Sequence, residues 1–189
     1  MKELSLNILD IVENSTKANA SLVEISLAED TAAKTLVIEI CDNGSGMSPE
    51  LLARVTDPFT TTRTTRKVGL GLPLFKLAAE QTGGGLVIES TVGFGTKVRA
   101  TFHTDHLDFT PVGDMGETFS VLLMGHPDTD FVFTRSVDEK SFGLSTKEMR
   151  EMLGGVSLAE PEVLQWAKEY IHEQTKALRI GGAINENPC

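Results

Sequence analysis

Two rhythms of apolar and polar positions divide the first hundred residues. Between Leu4 and Ala20, the apolar residues Leu4, Ile8, Ile11 and Val12 recur at three- and four-residue steps, which predicts a helix with one buried face. Asp10, Glu13, Asn14 and Lys17 follow the same spacing on the other side, and Asn19 is the expected stop. Ser21–Ala28 and Thr35–Cys41 then change to a period of two, the signature of half-buried strands, and pair as an antiparallel hairpin across a polar turn at 29–34. Ser48 and Pro49 open a short helix. A further helix follows over Pro73–Thr82, with Leu74, Leu77 and Ala78 inward, and Gly83–Gly85 stop it. Leu86–Ser90 and Thr96–Phe102 are strands joined by a glycine-rich turn. This order predicts the α+β class: a two-layer α/β sandwich with helices over a mixed, largely antiparallel sheet.

Beyond residue 102 the pattern loosens. Residues 103–116 read as loop, Thr118–Met124 as a strand, and Asp130–Arg135 as its partner across a turn at Gly125–Asp128. That hairpin, at about 118–135, is expected to extend the main sheet. Ser145–Glu148 is a capping box opening a helix over about 145–153, and a longer helix occupies about 160–178. The apolar face of the latter (Val163, Leu164, Ala167, Tyr170, Ile171) packs on the sheet within the monomer by default, with a second copy, and so a homodimer, as the alternative. The expected division is a domain over 1–102 and a carboxy-terminal extension over 103–189.

Composition narrows the partners. The 189 residues carry 17 Lys and Arg against 27 Asp and Glu, a formal net charge of -10. Nothing supplies the basic field that a nucleic acid requires, so no nucleic-acid partner is expected. No apolar run is long enough to cross a bilayer, and MKELSLNILD lacks the uninterrupted apolar core of a signal peptide, so no membrane partner is expected either. Two cysteines, Cys41 and Cys189, make no disulfide framework and point to a reducing, cytoplasmic location. Cys41, ending an apolar run, reads as a small buried hydrophobe.

Two polar stretches carry candidate chemistry. Asp42–Met47 (DNGSGM) puts a carboxylate at a strand end, where it can accept a hydrogen bond from a heterocycle amine, before glycines that let a ligand approach the backbone. Turns of this composition also occur without ligands. Residues 56–72 (TDPFTTTRTTRKVGLGL) combine hydroxyls and glycines with Arg63, Arg66 and Lys67, the only dense positive cluster. A loop over bound phosphates accounts for that composition, as does a plain surface loop. The polar stripe of the first helix has a similar bland alternative, a solvated face.

Taken together, DIVENSTKA, DNGSGM, and DPFTTTR followed by GLGL, with a late GFGT at Gly93–Thr96, resemble the ATP-binding domain shared by histidine kinases, type II topoisomerases, mismatch-repair ATPases and the heat-shock chaperone, the GHKL (Bergerat) type. The resemblance spans roughly residues 4–102. It implies ATP and Mg²⁺ as cofactors, with Asn14 as the metal ligand, Asp10 as the acid that orients or deprotonates water, and Lys17 facing a phosphate. Most hydrolysing relatives carry Glu where this chain has Asp10. It further implies that Asp42 reads the adenine amino group, with Gly44, Gly46 and Met47 beside the base and Thr96 near it. Phe59 would pack the root of a lid. Thr62, Arg63 and Lys67 would reach the phosphates, and Gly69, Leu70, Gly71 and Leu72 would shape the turn around them.

The function this implies is phosphoryl transfer from ATP to Ser or His of a partner protein in signalling. An ATP-gated interaction module with little turnover, and an intrinsic ATPase using Asp10, are the alternatives. His103 and His106 read as solvated side chains rather than a metal site, and Trp166 as a packing residue. Neither His126 nor His172 is favoured over the other as a phosphoacceptor.

Overall fold

The computed structural model describes residues 3–57 and 70–185, with side chains described to Arg179. Helix α1, Leu4–Lys17, buries Leu4, Ile8, Ile11 and Val12 and ends where Asn19 takes a left-handed φ of 61°. Its first two amides donate to Pro111 O at 2.9 Å and Val112 O at 2.7 Å, so the loop after residue 103 caps the helix in place of a side chain. Strands β1 (Leu22–Asp30) and β2 (Thr35–Asp42) form the expected antiparallel hairpin. Helices α2 (Pro49–Arg54) and α3 (Gly71–Gln81) follow, then β3 (Gly85–Thr91) and β4 (Gly95–His103). In α3 the buried residues are Gly71, Leu72, Phe75 and Ala79, while Leu77 is exposed; the ring of Phe75, in a tilted contact 5.5 Å from that of Phe102, selects that face over the expected one.

The second half departs from expectation at one element. Residues 118–124 lie inside helix α4, Met115–Gly125, so the hairpin expected at about 118–135 is displaced. The run alternates well enough for a strand, but Met115, Phe119, Leu122 and Leu123 also recur at helical steps, and all four are buried. Asp114 decides between the two by accepting the Glu117 amide at 2.8 Å as the helix N-cap. The hairpin is instead β5 (Asp130–Val137) with β6 (Lys140–Ser145), turning at Asp138, whose φ is 54°. Helices α5 (Thr146–Leu153) and α6 (Pro161–Asn185) complete the described chain.

The strand order is β3-β4-β2-β1-β5-β6, antiparallel throughout except where β5 lies parallel to β1. The second half therefore adds its strands to the same sheet. One face carries Ile25, Ile38, Ile40, Ala100, Phe102, Phe131 and Phe133, which form a single apolar cluster with residues of α1, α3, α4 and α6. The opposite face holds Glu39 paired with Lys97 at 2.8 Å and Arg99 at 3.2 Å, and Cys41 shares that face, half-buried rather than in the core. Alternation along β2 explains this, since Leu36, Ile38 and Ile40 take the core side and Cys41 must take the other. Among the described residues no helix is long and apolar enough to cross a membrane.

Candidate functional site

Asp42 closes β2 directly opposite Thr96 at the start of β4. Its carboxylate is fixed from two sides: Ser15 Oγ donates to Oδ2 at 2.7 Å, and the Gly44 amide donates to Oδ1 at 2.9 Å. Each oxygen keeps a lone pair, so the group is oriented and still able to accept. Ser15 comes from the buried side of α1, which makes this bond a direct tie between the helix and the strand end.

The turn after Asp42 is knitted to its surroundings. Asn43 Oδ1 accepts the Ser21 and Leu22 amides at 2.9 and 3.0 Å, the Ser45 amide donates to Ala18 O at 2.9 Å, and the Gly93 amide donates to Ser45 O at 2.8 Å. Gly46 has a φ of 70°, and a β-carbon there would meet Thr91 O at 2.1 Å. Its glycine is required by the approach of the β3–β4 turn, a different reason from the ligand approach expected from the motif. The Met47 amide donates to Ser90 Oγ at 2.8 Å, and Ser90 in turn donates to Gly95 O at 3.0 Å. Ser90 Oγ is also 2.8 Å from Thr96 Oγ1. Because Ser90 has one proton, Thr96 is the donor of that last bond and presents its lone pairs as acceptors.

Asp10, Asn14 and Lys17 lie on the outer side of α1, as their spacing requires. Among the described residues the Asn14 and Lys17 side chains make no hydrogen bond or ion pair. Burial pushes the Asp10 carboxyl above the usual range, with Lys17 opposing and Glu13 adding to the rise. Gly71, the first residue of α3, packs against Asp10: a β-carbon at Gly71 would lie 3.0 Å from that of Asp10. Leu70 is exposed, and Gly71 and Leu72 are buried. The structure thus brings Asp10, Asn14 and Lys17 on α1 together with Asp42, Gly44, Gly46, Met47 and Thr96 at the strand ends, and sets Leu70–Leu72 beside Asp10. Phe59, Thr62, Arg63, Lys67 and Gly69 lie outside the described residues.

Three positioning residues escaped the sequence reading. Ser15 had a signal, a hydroxyl at a helical position reserved for apolar residues. Asn43 and Ser90 had none that was local, because their partners lie 22 and 43 residues away in the chain. Of the other candidates, His126 Nε2 sits 3.1 Å from both Glu13 oxygens, tying α4 to α1, and His172 Nε2 is 2.6 Å from Asp114. Trp166 stacks on Tyr170 at 5.2 Å, in keeping with a packing role. Among the described residues no cluster of His, Cys, Asp or Glu is arranged for a metal ion, and His106 accepts the Asp108 amide at 3.1 Å.

Comparison with known proteins identifies the family and the fold. The family model described as histidine kinase-, DNA gyrase B- and HSP90-like ATPase matches residues 2–106. Sporulation kinase D of Bacillus subtilis (strain 168) is 32% identical over 94 residues, which cover 50% of this chain and 18% of that protein. The histidine protein kinase DivJ of Caulobacter vibrioides is 34% identical over 95 residues, covering 48% of this chain and 16% of that protein. The chain thus spans less than a fifth of the length of either relative. A crystal structure of the N-terminal domain of a DNA repair protein superposes with a TM-score of 0.53 at 16% identity, covering 77% of this chain and 53% of that one, a likeness of fold.

Proposed function

Because this chain belongs to the histidine kinase-, DNA gyrase B- and HSP90-like ATPase family through residues 2–106, we propose that it binds ATP with Mg²⁺ and transfers the γ-phosphoryl group to Ser or His of a partner protein. The observation that carries this reading is the pairing of a fixed carboxylate with a polar helix face on which, among the described residues, Asn14 and Lys17 have no side-chain partner. Asp42 is held by Ser15 from the same helix that presents Asp10, Asn14 and Lys17 to one side.

The donor set fits a hard cation held by few protein ligands: Asn14 offers a neutral side-chain oxygen with no competing partner among the described residues. Held there by Asn14, the ion would supply positive charge that neutralises the phosphates. In this reading Asp42 accepts from the adenine amino group, and Thr96 offers an acceptor beside it. Lys17 supplies a positive charge to the phosphates. Positioning on one rigid helix is the main contribution, since phosphoryl transfer needs alignment and charge neutralisation more than covalent help. A cytoplasmic location, where ATP is supplied, belongs to the same proposal.

The raised proton affinity of Asp10 supports a second reading, hydrolysis with Asp10 as the base for water. ATP labelled on its γ-phosphate, with Mg²⁺, separates them: label on an added candidate partner protein supports the kinase, and free phosphate abolished by Asp10→Asn supports the ATPase. Neither product, with nucleotide still bound, indicates an ATP-gated module. Binding itself is tested by titrating a fluorescent ATP analogue into Asn14→Asp, and retained Mg²⁺-dependent affinity would refute the site.

A further inference from the structure

At the other end of the sheet from Asp42 there is a second feature that the nucleotide reading does not use. Strand β5 alternates Phe131, Phe133 and Arg135 toward the core, so a guanidinium occupies a position where the pattern calls for an apolar side chain. Arg135 is only 5% exposed, and among the described residues its guanidinium makes neither a hydrogen bond nor an ion pair. A cavity of about 500 Å³ lies against it, walled by Leu36, Phe109 and Val112, with Thr104 and Arg179 at its polar side. Among the described lining residues the carboxylate is that of Glu29, and it pairs with Arg179 at 3.4 Å. Burial, and then the charge of Arg179, press the Arg135 guanidinium below its ordinary value, with Glu29 opposing.

A buried charge without a partner is destabilising, and arginine cannot relieve this by losing its proton. Two guanidinium groups against one carboxylate leave the cavity one positive charge in excess. A singly charged ligand balances it, whereas a doubly charged phosphate would overshoot. The planar fork of arginine matches the two oxygens of a carboxylate, and the apolar wall favours a hydrophobic body behind that head.

We propose that this cavity is a binding site for a small organic carboxylate, with Arg135 gripping the head group and Arg179 closing over it. The site is separate from the nucleotide site: Leu36 and Asp42 stand at opposite ends of β2, roughly 20 Å apart by strand rise.

The test uses the full chain at mildly alkaline pH, with benzoate as the carboxylate probe, benzamide as its neutral counterpart, and inorganic phosphate, there mainly doubly charged, as the third. Calorimetric titration should show saturable benzoate binding and a benzoate-dependent rise in melting temperature. Benzamide should not bind, and phosphate should bind at least about tenfold more weakly than benzoate. Arg135→Gln and Arg179→Gln should each weaken benzoate at least about tenfold, the loss expected for a charged hydrogen bond. Arg179 is mostly exposed, so its variant keeps the test decisive should Arg135→Gln fail to fold. No saturation by benzoate up to roughly 10 mM, equal binding of benzoate and benzamide, tighter binding of phosphate, or unchanged affinity in Arg179→Gln would each overturn the proposal.

Discussion

Where β2 ends, the Asp42 carboxylate accepts from Ser15 and from the Gly44 amide; where β2 begins, beside Leu36, Arg135 is more deeply buried as a residue and, among the described residues, has neither kind of bond. Both ends carry a charge at the margin of the same apolar cluster. At the first, the surrounding chain has been arranged to hold the charge in one orientation and leave part of it open. At the second, the chain leaves the charge facing a cavity. The difference separates two ways a fold can prepare for a ligand: by fixing a group with internal bonds, or by leaving one whose balance must come from outside.

The largest effect should come from the fixed end. Gly46→Ala would force a β-carbon into Thr91 O at a backbone angle that side chains rarely adopt, and should lower unfolding stability by roughly 3 kcal/mol in urea titrations. Wild-type stability there would show that the motif glycine serves ligand approach after all. Asp42→Asn should weaken ATP on the order of tenfold to a hundredfold, as loss of a charged acceptor does, with little change in stability. Arg135→Met should act with the opposite sign. Without any added ligand it should raise unfolding stability by about 1–2 kcal/mol, because an unpaired buried charge gives way to an apolar stem of similar length. Loss of stability instead would mean that Arg135 is balanced within the protein and that the two ends are alike.

Ser15→Ala tests the tie between helix and strand more gently. It should cost about 1 kcal/mol of stability and weaken ATP several-fold through the loosened Asp42, as urea and nucleotide titrations of the same variant would show. The smallest effect is expected at Asp10. Its folded carboxyl binds a proton more tightly than the unfolded one, so stability falls as pH rises from the unfolded value of 3.8 through the folded one. Asp10→Asn should therefore gain on wild type as pH rises through that window, and match it in more acidic solution. A difference that is constant with pH would remove burial as the cause.

How far the sequence could be read follows from the range of each interaction. The face of α1 was legible because helix pitch alone brings Asp10, Asn14 and Lys17 together, and Asn19 marked its end. The strand-end position of Asp42 was legible from the period-two run before it. The reason for Gly46 was not, since Thr91 reaches it only through the sheet. Residues 118–124 satisfied two periods at once, and the cap that settles the matter, Asp114, lies outside the run. The role of Arg135 was hidden for a similar reason. Its alternation with Phe131 and Phe133 marks a core position, but only the meeting of β1, β2, α6 and the loop before α4 makes a cavity of it.

The parallel seam between β1 and β5 has a consequence for synthesis. It joins Leu22 to Asp130, residues 108 apart by subtraction, while β1 and β2 meet across a short turn. Contacts so distant form late, after the closure entropy of the intervening chain has been overcome. On the ribosome, the β1–β2 hairpin, α3 and the β3–β4 hairpin can therefore assemble while β1 is still an edge, with its hydrogen-bonding groups open on one side. Only when β5 emerges is that edge covered, so the interval between the two is when the nascent chain is most exposed to strand pairing with a neighbour.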